Sequence, residues 1–154
     1  MKYIRNCVIK QIEIAEDFYE AYKHCFASNN QKHIVAIPAF VNGFLACEIY
    51  LKYILKANEK DAKGHDLAKL FKQLPQKMQD RIEKEFSEKA EWFYKQYKIS
   101  FDELLDKISF GFEFWRYIYE DKNAIFEDRF PFAFSECFLQ VFLPIIDKIA
   151  KGAN

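Results

Sequence analysis

Glu48, Lys52, His65, Arg116 and Glu120 are the residues whose types and spacing could do chemistry in this chain. Glu48 stands four residues after Phe44 and three before Leu51. A helix through this segment therefore puts it on the apolar stripe Ile37, Val41, Phe44, Leu51, Leu55. A carboxylate turned inward is costly unless it is paired. It is either a site residue, partnering an inward cation such as Arg116, or an ion pair with Lys52 at the rim of the stripe. Arg116 lies within Phe110–Glu120, where Ser109, Glu113, Arg116 and Glu120 share a polar strip flanked by aromatic residues. Its guanidinium can bind a phosphate, stack between rings, or close a ladder with Glu113 and Glu120, three and four residues away. His65 stands at the start of a short helix, where it can carry a proton or serve as a cap whose ring packs on a neighbour. Arg116 and His65 are the two candidates for catalysis. All five residues are candidates for one polar cluster among aromatic walls.

Other site chemistries are missing from the sequence. The four glycines form neither GxGxxG nor GxxxxGK, and there is no GxSxG or HExxH. Cys7, Cys25, Cys47 and Cys137 contain no CxxC pair, and their spacing to His24, His33 and His65 fits no ligand template. The expectation is four reduced thiols used as small hydrophobes, with no metal and no cofactor. Met1–Lys10 has charges and no apolar core of a signal peptide, so a cytoplasmic location is expected. The apolar stretch 34–55 carries Pro38, Asn42, Glu48 and Lys52, and 130–146 carries Ser135, Glu136, Gln140 and Pro144. Both read as buried helices and not as membrane spans.

With 23 basic and 23 acidic residues among 154, the formal net charge is zero, which argues against binding polyanions by bulk charge. The charge is uneven, however. Residues 50–84 hold nine basic and five acidic side chains, and residues 101–137 hold four and nine. A basic stretch beside an aromatic one can suggest RNA contact. The simpler account is two solvated helix faces, complementary within the fold or across a dimer. An apolar fraction of 51% rules out disorder, and eight Gly plus Pro are too few for a turn-dense all-β fold.

The elements that must position these residues are helical nearly throughout. The periodicity predicts six helices over about 3–27, 34–57, 67–74, 75–97, 100–121 and 131–150, the last with a possible kink at Pro144. Ser100 and Glu103 form a capping box, and Asp66 or His65 caps the third helix. No repeat or linker divides the chain, so one all-α bundle of five to six helices is expected. Its 28 aromatic residues fit either a thick core or a core plus a partner-facing surface.

Several of these residues occur in a recognisable order. Glu48, Leu51, Lys52 and Leu55 are followed by Gly64-His65-Asp66-Leu67, Leu70-Phe71 and Leu74-Pro75, and later by Trp115-Arg116-Tyr117-Ile118-Tyr119-Glu120. Across residues 34–121 the chain resembles small bacterial HEPN-domain proteins. The resemblance implies an all-α bundle that often dimerises. It also implies a role among RNA-cleaving toxins, phage-defence effectors or non-catalytic companions of nucleotidyltransferases. Active members carry Arg, four to six residues, then His, usually paired across a dimer to position an RNA phosphate and 2′-hydroxyl. Here Arg116 is followed at those positions by Asp121, Lys122 and Asn123, and Arg5, Arg81 and Arg129 likewise lack the histidine. The expectation is therefore a catalytically inactive homodimer that binds RNA, a nucleotide or a partner protein. The alternatives are a metal-independent ribonuclease with a degenerate site, in which His65 serves Arg116 from elsewhere in the fold, and a pure protein-interaction module.

Overall fold

The computed structural model describes residues 2–27, 36–118, 120 and 132–152, with side chains of the first stretch from residue 10 onward. Among them it forms eight helices and no strand: α1 Lys2–Ala27, α2 Ala36–Ala57, α3 Leu67–Lys72, α4 Gln76–Lys89, α5 Glu91–Tyr97, α6 Phe101–Ile108, α7 Gly111–Arg116 and α8 Phe132–Gly152. The all-α expectation holds, while the expected count of five to six rises to eight because two of the predicted helices break. The first break is at Ala90, whose φ of −102° and ψ of 19° leave the helical region between α4 and α5. The second falls at Ser109–Phe110. Phe110, with φ of −107° and ψ of 27°, leaves the helical region there, while the Ser109 hydroxyl donates to the Leu105 carbonyl at 3.0 Å and the Ser109 carbonyl accepts the Leu67 N–H at 3.0 Å. The capping box of α6 is present in both directions. Asp66 caps α3 by accepting the Lys69 N–H, so His65 is not the cap. The last helix runs through Pro144 without interruption.

α2 is the centre of the bundle. It packs against α1, α3, α7 and α8, and is buried on most sides, through Phe40, Phe44, Cys47, Tyr50, Leu51, Ile54 and Leu55. The predicted stripe was too narrow and rotated at its start: Ile37 is exposed and Val41 half-buried, while Phe40, Cys47 and Tyr50 are enclosed. A helix surrounded by neighbours does not show the one-sided pattern on which such a stripe rests. The aromatic load goes largely to the core, where Phe86, Phe101, Phe138, Phe142 and Phe71 form one chain of ring contacts. Of the four cysteines expected to be small hydrophobes, Cys47 and Cys137 are buried free thiols, Cys25 is a half-buried one, and the Cys7 side chain lies outside the described residues; burial pushes the Cys137 thiol up to about 12. No described helix is long and apolar enough to cross a membrane, and no described group of His, Cys, Asp and Glu could hold a metal ion.

A polar tie joins three helices. The Tyr50 hydroxyl donates to Asp147 at 2.7 Å, and Lys151 reaches Asp147 at 2.9 Å and Glu16 at 3.3 Å. Burial, then the Asp147 bond, raises the Tyr50 hydroxyl above its ordinary value; burial raises Tyr94 to about 12; the Asp147 bond raises Lys151. In each case the folded chain holds its proton to higher pH than the unfolded one. The stability from these groups is complete below about pH 10 and is lost as pH rises beyond it. Helical circular dichroism should therefore fall steeply between pH 10 and 12 and less steeply in Tyr50→Phe; a wild-type signal flat to pH 12 would contradict this.

Candidate functional site

Two local devices bring His65 to Glu48. α2 carries Glu48 on a buried face, where it is 4% exposed. The connection from α2 to α3 then turns back at Gly64, whose φ of 87° is a conformation that side chains with a Cβ rarely adopt. The capped start of α3 and the Leu67–Ser109 bond fix the end of that connection. His65 Nδ1 lies 2.8 Å from Glu48 Oε1, and Lys52 Nζ lies 2.7 Å from the same oxygen. A carboxylate only accepts, so Nδ1 carries the proton and Nε2 is the nitrogen left for other partners. The imidazole side chain is 59% exposed and the Lys52 side chain 19%. Glu48 Oε2 is buried without a hydrogen-bond partner among the described residues. One enclosed carboxylate oxygen thus gathers two donors and holds a histidine at the surface in a fixed tautomer.

Arg116 stands elsewhere. A Cβ on Gly111 would lie 2.6 Å from the Phe44 ring, and the Trp115 ring centre is 4.7 Å from that of Phe40. α7 therefore runs antiparallel to α2. Stepping from Phe44 to Glu48 and from Gly111 to Arg116 leads in opposite directions, which separates the two side chains by about 13 Å along the helix axes. Arg116 is exposed, with its guanidinium 5.6 Å from the Phe112 ring centre and 4.9 Å from that of Tyr117. Among the described residues it forms no ion pair with Glu113 or Glu120, so the expected ladder gives way to ring contacts. Glu120 is exposed beyond the end of α7. The five-residue cluster accordingly resolves into a trio, Glu48, Lys52 and His65, with Arg116 and Glu120 at the far end of α7.

A family model described as the HEPN domain matches residues 9–108. The chain belongs to the HEPN family. The match runs from residue 9, within α1, to the end of α6 and so contains the Glu48, Lys52 and His65 trio, whereas the Arg116 segment lies beyond it. It also takes in α1, which the motifs in the sequence did not touch. No curated protein and no solved structure matches the chain.

The sequence did not single out the Tyr50–Asp147–Lys151 tie or the bond from Trp115 Nε1 to Ser135 Oγ at 3.0 Å. The signal available for each was a polar residue inside an apolar run, Asp147 after Ile145-Ile146 and Ser135 after Phe134, the same signal that marked Glu48. A groove of about 540 Å³ between α4 and α8 was not foreseen either. It is lined by Arg81, Lys84, Lys89 and Lys148 against Asp80, Glu85 and Glu88, and the Lys89 hydrogen bond holds the Glu85 carboxyl below its ordinary range.

Proposed function

We propose that this HEPN-family chain works by binding, as a homodimer, and that its ligand is single-stranded RNA held without being cut. The observation that carries this reading is the absence of a histidine five to seven residues after Arg116, together with the engagement of His65, the substitute candidate, with Glu48 beside Lys52. Phosphate contacts come from the basic side of the molecule, where Lys69, Lys72, Lys77, Arg81 and Lys84 are exposed on α3 and α4. Lys69 and Lys72 are partly satisfied by Asp66 and Asp106 at 3.6 and 3.7 Å, whereas Lys77 and Arg81 have no ion pair among the described residues. A few such contacts on a single strand give a logarithmic salt slope of about −2.

Fluorescence anisotropy with a labelled single-stranded RNA tests this. Affinity should fall with salt at about that slope and drop roughly tenfold in Lys77→Glu/Arg81→Glu, while the RNA stays intact on a gel. No binding at low salt would defeat the reading and leave a protein-interaction module. A metal-independent ribonuclease is the second reading, favoured by the carboxylate-held His65. Cleavage products that disappear in both His65→Ala and Arg116→Ala would establish it.

A further inference from the structure

The chain has two tryptophans and treats them oppositely. Trp115 is buried, whereas Trp92 is 55% exposed, the most open large apolar side chain among the described residues. Its neighbour in α5, Phe93, is fully enclosed and packs 5.2 Å from the Phe134 ring of α8, which fixes the backbone beneath the indole. The Trp92 ring stands at 84° to that of Phe93, 5.7 Å away. Trp92 follows Lys89 by three residues, and Lys89 lines the groove between α4 and α8. The carboxylates of that groove are answered from within α4: Glu85 by Lys89 at 2.9 Å, Glu88 by Lys84 at 4.0 Å, and Asp80 by the Gln76 side chain at 2.8 Å. Arg81 on one wall and Lys148 on the other have no ion pair among the described residues, and both are exposed. α8 runs antiparallel to α4 and α5, since Phe134 meets Phe93, Phe138 meets Phe86, and Lys148 shares the groove with Arg81. The two free cations therefore stand towards one end of this face and the indole towards the other. Arg81 and Lys89 are about 12 Å apart along the axis of α4.

We propose that Trp92 is a base-stacking platform for the RNA, whose phosphates pass between Arg81 and Lys148 in the adjoining groove. This rests on the RNA reading and gives that ligand a site on α4, α5 and α8. An unpaired strand offers base faces to an aromatic ring and phosphates to cations, and this face presents both, whereas a duplex keeps its base faces stacked away. An apolar protein partner fits less well. The exposed residues flanking Trp92 along the chain, Glu88, Lys89, Glu91, Lys95 and Gln96, are all polar, so the indole does not belong to a contiguous apolar patch.

Stacking and charge leave different signatures in a titration with a short oligouridylate. Trp92→Ala should weaken binding roughly tenfold with the salt slope unchanged, and Trp92→Phe should recover most of the loss. Arg81→Gln/Lys148→Gln should weaken binding and flatten the logarithmic salt slope by about 1.4. All of these side chains are exposed, so thermal melts should stay at the wild-type value. Oligouridylate should also quench the intrinsic fluorescence of the wild type and leave that of Trp92→Phe, which retains only the buried Trp115, unaltered. Wild-type affinity in Trp92→Ala, or binding without quenching, overturns the platform and leaves the RNA elsewhere on the basic side. A salt slope unchanged in Arg81→Gln/Lys148→Gln overturns the path through the groove. No binding by the wild type at low salt overturns this site and the RNA reading together.

Discussion

Trp115→Ala should lower the unfolding free energy by about 3–5 kcal/mol, among the largest costs of any single truncation here. Trp115 is 6% exposed and ties three segments together. Its ring lies 4.7 Å from Phe40 of α2 and 6.4 Å from Phe132 of α8, and its Nε1–H donates to Ser135 of α8 at 3.0 Å. α7 has only six residues, too short to be helical without tertiary contacts. Losing the indole removes both the packing that docks α7 on α2 and the bond to α8. Ser135→Ala separates the two contributions: it leaves the indole N–H buried without that acceptor and should cost about 1–3 kcal/mol. Urea denaturation followed by circular dichroism measures both. A loss below about 1 kcal/mol for Trp115→Ala would mean that the site collapses without penalty and that α7 is not held by this ring.

The fate of α7 also shows where sequence reading stops. Helical periodicity over 100–121 is real, since α6 and α7 are both helical, and the one local hint of the break is Gly111, a weak helix former that stands just after it. Ser109 is an ordinary residue within a helix until its carbonyl is taken by Leu67, forty-two positions earlier. That is a tertiary event, and it moves Arg116 away from the trio because α7 runs back along α2. Capping is different. The Ser100–Glu103 box and the Asp66 cap are legible because side chain and backbone partners lie three residues apart. Glu48 was legible for the same reason: a charge standing on an apolar stripe costs free energy unless something answers it, so the sequence poses the question locally. Lys52, four residues away, is a local answer and was foreseen. His65 was expected in the same cluster, but its direct bond to Glu48 across seventeen residues and a Gly64 turn was not specified.

Glu48 provides the other large effect. Glu48→Ala should cost about 2–4 kcal/mol, from the cavity left in α2 and the loss of two charge-assisted bonds. The usual penalty for stranding a buried charge would be about 3–5 kcal/mol, but it applies only in part, since Lys52 and His65 both reach water and can turn towards it. Glu48→Leu distinguishes the reasons for keeping a carboxylate there. Leucine fills the volume, removes the unpaired Oε2 and should fold within about 1 kcal/mol of wild type, because a buried ion pair is often no more stable than its apolar replacement. What leucine cannot do is hold the imidazole. Nitrogen-15 spectra should show the Nδ1–H tautomer of His65 in wild type and a mixture in both variants. A Glu48→Leu protein about as stable as wild type, with a released His65, assigns the carboxylate to orienting the ring. A loss as large as that of alanine would make its bonds to Lys52 and His65 a net source of stability. Glu48→Ala within about 0.5 kcal/mol of wild type would mean that the enclosed carboxylate and its two partners do not meet in solution as they do here.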